Sequence, residues 1–126
     1  LNDTDSLRKN WQNMVNDLAT EATTVHTRFP HAIVAFIVII PLPCLKAVPN
    51  TQAAIIETLE RLGQRVSIDG PVHMAEAVSL VAWNPQLAIV DPDVPHPDSS
   101  IRIERFHRLV EAAYVERYKG LPPHTD

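Results

Sequence analysis

Residues 32–40 read Ala-Ile-Val-Ala-Phe-Ile-Val-Ile-Ile, an uninterrupted apolar run in which most side chains are β-branched. Such side chains favour extended backbone, and Pro41 ends the run because it cannot donate a ladder hydrogen bond. The run shows no alternation of polar and apolar residues, so we expect a central strand with helices covering both faces. It has about half the length that a membrane-spanning helix requires, which argues against a transmembrane segment.

An amphipathic helix is predicted before this strand, over about residues 5–29. Its apolar side chains recur every three or four positions and form one stripe: Leu7, Trp11, Val15, Leu18, Ala22, Val25 and Phe29. Pro30 ends the helix because it disfavours helical backbone in the residue before it. The same reasoning predicts helices over residues 51–62, 71–83 and 98–119, each bounded by Gly, Pro or Asn.

A second strand is predicted over residues 87–91 and a short one over residues 65–68, while the proline-rich segment 42–49 is predicted to be a loop. Alternating helices and strands are typical of an α/β fold with right-handed crossovers. We therefore expect a single α/β domain over residues 1–126, with a small, mostly parallel sheet flanked by four helices. Further strands, from upstream sequence or from a partner, would complete so small a sheet.

The composition sets limits on partners and compartment. The 126 residues carry a formal net charge of −4, whereas proteins that coat nucleic acid are usually strongly basic. This balance counts against a DNA-coating protein but leaves room for a local cationic face. Cys44 is the only cysteine, so no internal disulfide can form, which agrees with a cytoplasmic protein.

The sequence contains no complete catalytic or metal-binding motif. Three glycines cannot form the glycine-rich phosphate loops of nucleotide-binding folds, and none of the six histidines has a second ligand at zinc-type spacing. Asp91 and Asp93 follow the predicted strand 87–91, where open α/β sheets bind ligands, and could hold magnesium. An Asp-Pro pair is also typical of a turn, and we favour that interpretation.

Cationic and amide side chains cluster at the start of the first helix: Arg8, Lys9, Asn10, Gln12 and Asn13. Cations near a helix amino terminus oppose the helix dipole, at a cost of a few tenths of a kcal/mol or more, unless an anion is nearby. Together with amides they suit contacts with the phosphates and bases of DNA. The residue types alone favour a solvated helix face.

The last helix carries a similarly ambiguous charge pattern. Arg102, Arg105 and Arg108 lie three positions apart, on neighbouring turns. Glu104 and Glu111 are interleaved with them, so we expect a salt-bridged solvent face and not a cationic surface.

Three segments together carry a family pattern. The first comprises residues 9–13, 21–22 and 26–30 and continues into residues 32–41. It reads Lys9-Asn10-Trp11-Gln12-Asn13, then Glu21-Ala22, then His26-Thr27-Arg28-Phe29-Pro30. The second is residues 71–77, and the third is residues 103–110 together with Glu116-Arg117. They resemble bacterial restriction-endonuclease-like proteins of the PD-(D/E)xK nuclease superfamily. The likeness spans nearly the whole chain and rests on spacing and polar identity.

The resemblance implies that the first helix and the strand after it follow a β-meander that carries the family's catalytic acids and lysine. Those residues would precede Leu1, and within this chain no Asp or Glu is followed two positions later by Lys. The chain would be the non-catalytic carboxyl-terminal part of a nuclease-like domain, or a repurposed relative without activity. In the full-length family enzyme, magnesium-activated water would hydrolyse a DNA phosphodiester, with no magnesium bound by this chain.

The resemblance also implies partners. Double-stranded DNA is expected to be positioned by Arg8, Lys9, Asn10, Gln12 and Asn13. A homodimer is left open, and no membrane partner is expected. One alternative is a small flavodoxin-like α/β regulatory or protein-interaction module that uses Asp91, Asp93 or an exposed helix face. Another is a structural subunit that completes its sheet with a partner strand.

Overall fold

The computed structural model describes residues 3–119 as four helices around a three-stranded sheet. In chain order the elements are α1 (Thr4–Arg28), β1 (Ala35–Pro41), α2 (Leu42–Lys46), α3 (Pro49–Leu62), β2 (Ala77–Asn84), β3 (Ile89–Val90) and α4 (Ile103–Tyr118). The strand order is β1-β2-β3, with β2 parallel to β1 and antiparallel to β3. The expected α/β class is confirmed. The expectation of a mostly parallel sheet is wrong, because the sheet is mixed.

The central strand is β2, not the apolar run of residues 32–40. Residues 77–82 are all buried, because β1 lies on one side of β2 and β3 with Ile101 lies on the other. The prediction of a helix over residues 71–83 is therefore wrong. Helical spacing can be found within any continuous apolar run, so periodicity alone does not separate a buried helix from a buried strand.

Strand β1 lies at an edge of the described sheet and is covered on one face only. Its residues alternate in burial: Val38 and Ile40 are buried, whereas Ile37 is 50% and Ile39 is 63% exposed. The expectation that helices cover both faces of this strand is wrong for residues 3–119. An edge strand needs cover only on the side that meets the core, and here that side faces α1, α2 and α3.

Three further boundaries differ from expectation. Residues 65–68 form a loop, because Arg65 is buried in an ionic cluster and the following residues turn back towards Gly70. The strand predicted over residues 87–91 is reduced to β3, since the two residues before it belong to the turn of the β2–β3 hairpin. The segment 42–49 was predicted to be a loop but contains α2 and the first residue of α3. Its prolines are compatible with these helices because each lies at or near a helix start.

The main core lies between the sheet and helices α1, α2 and α3. Its fully buried members include Leu7, Ala22, Ile40, Leu45, Ile55, Leu59, Val78 and Leu80. Burial of one large apolar side chain of this kind stabilises the fold by about 1.5–3 kcal/mol. Helix α4 packs against β2 separately, and the Ile101 carbonyl just before it accepts from the Leu80 N–H at 2.9 Å and the Ser79 hydroxyl at 3.0 Å.

Helices α1, α3 and α4 all end near the residues that precede β2. His26, in the last turn of α1, and Arg117, in that of α4, both contact Glu76. The Leu62 carbonyl at the end of α3 accepts from the Ala75 N–H at 2.7 Å. The carboxyl ends of these helices therefore lie at the amino end of the parallel strands. Their amino ends point towards the opposite end of the sheet.

Candidate functional site

The five polar residues that the resemblance assigns to DNA contact lie on the first turns of α1, and all five are exposed: Arg8, Lys9, Asn10, Gln12 and Asn13. Helical geometry places three of them opposite the core-facing stripe and two at its flanks. Arg8 Nη2 lies 2.8 Å from Asp5 Oδ1 in an exposed ion pair, which contributes about 1 kcal/mol at most. The structure brings the five onto one helix surface, with solvent on its outer side.

Asp91 and Asp93 belong to a turn. Asp91 Oδ2 accepts hydrogen bonds from the Asp93 N–H at 3.0 Å and the Val94 N–H at 2.8 Å. The carboxylate therefore closes a turn, as the Asp-Pro interpretation predicted. Across residues 3–119, no group of three or more His, Cys, Asp and Glu side chains is arranged to hold a metal ion.

A buried ionic cluster surrounds Glu76, which lies directly before β2. Glu76 Oε1 accepts from the Val34 N–H at 2.8 Å and lies 2.9 Å from His26 Nε2. Glu76 Oε2 accepts from Arg65 Nη1 and, at 2.9 Å, from Arg117 Nη2. All four side chains are at most 5% exposed. One carboxylate thus joins four segments: α1, Val34 just before β1, the loop after α3, and α4.

Backbone carbonyls complete the cluster. Arg65 Nη2 donates to the carbonyls of Pro30 and Ile68, and Arg117 donates to those of Ala32 and Val66. Backbone carbonyls carry no net charge and do not neutralise the arginines. The two guanidinium groups therefore share the single negative charge of Glu76. Within residues 3–119, only the two Nε atoms among the guanidinium nitrogens of this cluster lack a hydrogen-bond partner.

The cations decide the ionisation of Glu76. Burial alone would raise the pKa of its carboxyl, but hydrogen bonds from the Val34 amide and from the two guanidinium groups outweigh it. The pKa of Glu76 is therefore held below its ordinary value, and the group is charged in the fold. All four side chains are buried, and both carboxylate oxygens are occupied by neighbouring nitrogen groups. Its chemical capacity is to fix segments in place.

Sequence reasoning missed this cluster, because Glu76 lies 11 positions from Arg65, 41 from Arg117 and 50 from His26. A weak signal was present. Glu76 stands between two alanines at the start of the mostly apolar segment of β2, and a charge at such a place needs a buried partner.

A second ion pair fixes the start of α4. Arg102, which is 6% exposed, binds Glu104 through Nε and Nη2, both at 2.8 Å. Its Nη1 donates to the carbonyls of Asp91 and Pro95 at 2.8 and 3.1 Å. The hydrogen bond between the two side chains lowers the pKa of Glu104 and raises the pKa of Arg102. The loop after β3 is thereby held against the first turn of α4.

The outer edge of β1 carries unpaired backbone groups. The Val34 carbonyl accepts from the Ala77 N–H at 3.4 Å, and in a parallel ladder every second residue turns both its N–H and its C=O to the neighbouring strand. This parity leaves the N–H and C=O groups of Ala35, Ile37 and Ile39 directed away from β2. No strand within residues 3–119 pairs with them. The free edge therefore combines unpaired amides with two exposed isoleucine side chains.

Comparisons with protein-family models, with curated proteins and with solved structures found no match to this chain. Among the helices described over residues 3–119, none combines the length and the apolar character needed to cross a membrane.

Proposed function

We propose that this chain is the non-catalytic carboxyl-terminal part of a restriction-endonuclease-like protein that binds double-stranded DNA and, when complete, cleaves it with magnesium. The observation that carries the proposal is the free edge of β1. The side chain of Ile37 is half exposed and that of Ile39 is more than half exposed, beside backbone groups that no strand of residues 3–119 pairs with. A long apolar edge of this kind is normally covered or paired.

The resemblance says which strand would cover this edge. It assigns α1 and β1 to the helix and strand that follow the catalytic β-meander. A strand that leads into α1 would pair with β1 in parallel, because a strand-helix-strand unit places its two strands side by side. The free edge of β1 is where such a strand would lie, and the catalytic residues would come from it and its neighbours.

DNA contact is assigned to the outer surface of α1. Within residues 3–119, the side chains of Lys9, Asn10, Gln12 and Asn13 have no hydrogen-bond partner, so their donors and acceptors are available to a ligand. Amide and ammonium groups suit base edges and phosphates. These residues would position the duplex and take no part in the hydrolysis itself.

Hydrogen exchange of the backbone amides tests the strand pairing. In the isolated 126-residue chain, the amides of Ala35, Ile37 and Ile39 are expected to exchange rapidly, whereas those of Phe36 and Val38 are protected by β2. In the complete gene product, all five are expected to be protected. The same protein is expected to cut plasmid DNA with magnesium and to lose this activity in a chelator.

The alternative function is a regulatory or protein-interaction module. The exposed isoleucines of β1 favour an interaction surface of some kind. A flavodoxin-like sheet would be parallel throughout, however, and β3 is antiparallel to β2. Under this alternative, the amides of Ala35, Ile37 and Ile39 stay unprotected in the complete gene product and no cleavage is observed, which would overturn the nuclease proposal.

A further inference from the structure

Two arginines in the first turns of α4 have no carboxylate partner within residues 3–119. Glu104 is bound by Arg102 at 2.8 Å, and Glu111 lies 3.3 Å from His107. The Arg102–Glu104 pair is one of the salt bridges expected for this surface, so the expected face is formed in part. Within residues 3–119, neither Arg105 nor Arg108 forms an ion pair with a carboxylate, although the charge of Arg105, after that of Arg102, helps to lower the pKa of Glu104.

Arg105 and Arg108 line an open cleft of about 390 Å³. Its other walls are Pro92, Pro97 and the Arg102–Glu104 pair, whose charges cancel. Within residues 3–119, Arg105 donates one long hydrogen bond, from Nη2 to the Pro97 carbonyl at 3.3 Å, and its other N–H groups have no partner there. The exposed acids of the adjoining loop, Asp93 and Asp98, do not line the cleft.

The walls of the cleft are held rigidly. The guanidinium of Arg102 is buried and joins the loop after β3 to the start of α4. Val94 is further fixed by the Asp91 turn. An anion that enters the cleft would therefore meet guanidinium groups on a helix whose position is already set, which lowers the ordering cost of binding.

The cleft and the polar surface of α1 lie towards the same end of the sheet. Both helices finish at Glu76, at the amino end of the parallel strands. Their amino-terminal turns therefore extend towards the carboxyl end of the strands. Helix α1 packs on the face of β2 that carries Val78 and Leu80, and α4 packs on the opposite face. The two pairs of cations, Arg8 with Lys9 and Arg105 with Arg108, therefore lie at the same end of the sheet but on its two faces.

We propose that Arg105 and Arg108 bind phosphate groups of the duplex whose other contacts lie on α1. This inference rests on the proposed function. Guanidinium groups present paired N–H donors that match phosphate oxygens, and each neutralised phosphate releases counterions. The two arginines would contact the DNA backbone and would carry no sequence information.

The test is the salt dependence of duplex binding by the 126-residue chain, followed by fluorescence anisotropy of a labelled oligonucleotide. The double variant Arg105→Gln/Arg108→Gln is expected to bind more weakly and to lower the slope of log affinity against log salt by about 2, roughly one for each lost phosphate contact. Arg61→Gln in α3 is the matched control, because Arg61 is exposed and pairs only with Glu57. It is expected to leave the slope unchanged, and thermal melts verify that each variant folds.

The outcomes separate this inference from the proposed function. Loss of affinity in Lys9→Gln with an unchanged slope in the double variant would overturn the role of Arg105 and Arg108 and leave the α1 contact standing. Absence of duplex binding by the wild-type chain would overturn both. Titration of the Arg105 and Arg108 Nε resonances by inorganic phosphate, with no response to duplex, would show a free-anion site and also overturn the inference.

Discussion

Glu76 is the residue on which the largest number of separate segments depends. Its two oxygens hold α1, the entry to β1, the loop after α3, and α4, through His26, Val34, Arg65 and Arg117. Burying charges is costly, and removal of one partner leaves the others uncompensated in a medium of low polarity. The guanidinium groups would then have only backbone carbonyls as partners.

Acidification is expected to destabilise the protein through Glu76. Burial opposes ionisation of this carboxyl, but the Val34 amide and the two arginines hold its pKa below the ordinary value. The stabilisation is therefore complete above the pKa of the unfolded chain and is lost as the pH falls through the lower folded pKa. Urea unfolding between pH 7 and pH 3 measures this loss. Glu76→Gln is expected to lower the free energy of unfolding at pH 7 by about 3–5 kcal/mol and to reduce the dependence on acid.

The matched control is Glu57→Gln, which removes the partner of Arg61 in a pair whose two side chains are both exposed. Its expected effect on the free energy of unfolding is within about 1 kcal/mol, because solvent already screens the pair. An equal loss in the two variants, or an acid dependence that Glu76→Gln leaves unchanged, would contradict the role given to the cluster.

At the scale of elements, the helices α1, α3 and α4 could be predicted to within a few residues, because an amphipathic stripe and a proline or glycine boundary are local features. Of the strands, β1 lies within three residues of the strand predicted over residues 32–40, and β3 covers part of the one predicted over residues 87–91, whereas β2 was predicted to be a helix. The central position was assigned to residues 32–40, but residues 77–82 occupy it. Which of two apolar runs lies inside a sheet depends on pairing across the chain, and no single segment shows it.

In the candidate site, too, local features could be predicted from the sequence, whereas contacts between distant elements could not. The exposure of Lys9 and Asn13 follows from the stripe of α1, so the sequence was sufficient to place them on the outer surface. The partners of Glu76 and the unpaired state of Arg108 depend on side chains from other elements. The charge pattern predicted a salt bridge to Glu104, and Arg102 forms it from the residue that precedes α4.

Adjacent isoleucines of β1 provide a test of its edge position. Ile40 is fully buried against the core, whereas Ile39 is 63% exposed on the opposite face. In the 126-residue chain, Ile40→Ala is expected to lower the free energy of unfolding by about 2–5 kcal/mol. Ile39→Ala is expected to change it by about 0.5 kcal/mol or less. Chemical denaturation measures both.

This pair of variants also bears on the proposed function. In the complete gene product, a strand that pairs with β1 would cover part of Ile39, and the cost of Ile39→Ala would then rise above its value in the isolated chain. Equal and large losses for both residues in the isolated chain would show that the face of β1 is already covered and would remove the free edge.

At the scale of the whole molecule, a net charge of −4 coexists with exposed cations at the amino ends of two helices, beside acids such as Asp5 and Glu104. The amino ends of α1 and α4 carry Arg8, Lys9, Arg105 and Arg108, while the opposite end holds the buried Glu76 cluster. Under the proposed function, these cations would attract DNA locally while the net charge repels it, and we expect the affinity to fall as ionic strength rises.

The 126-residue chain is expected not to cleave DNA. Its described residues contain no metal-binding group, and the acid-any-lysine pattern of the resembled family is absent from the sequence. Incubation of the purified chain with supercoiled plasmid and magnesium, followed by gel electrophoresis, measures nicking and linearisation. Robust cutting by the chain alone would contradict the assignment of catalysis to other residues.

The bond from Arg117 to the Ala32 carbonyl spans 85 positions, and the Tyr118 hydroxyl reaches the His31 carbonyl across 87. Closing so long a loop costs chain entropy before any contact repays it, and folds rich in distant contacts form slowly. The three long helices can form early from local interactions alone. These contacts cannot form until the chain has been synthesised through Tyr118, so we expect α4 to dock late against residues 31–32.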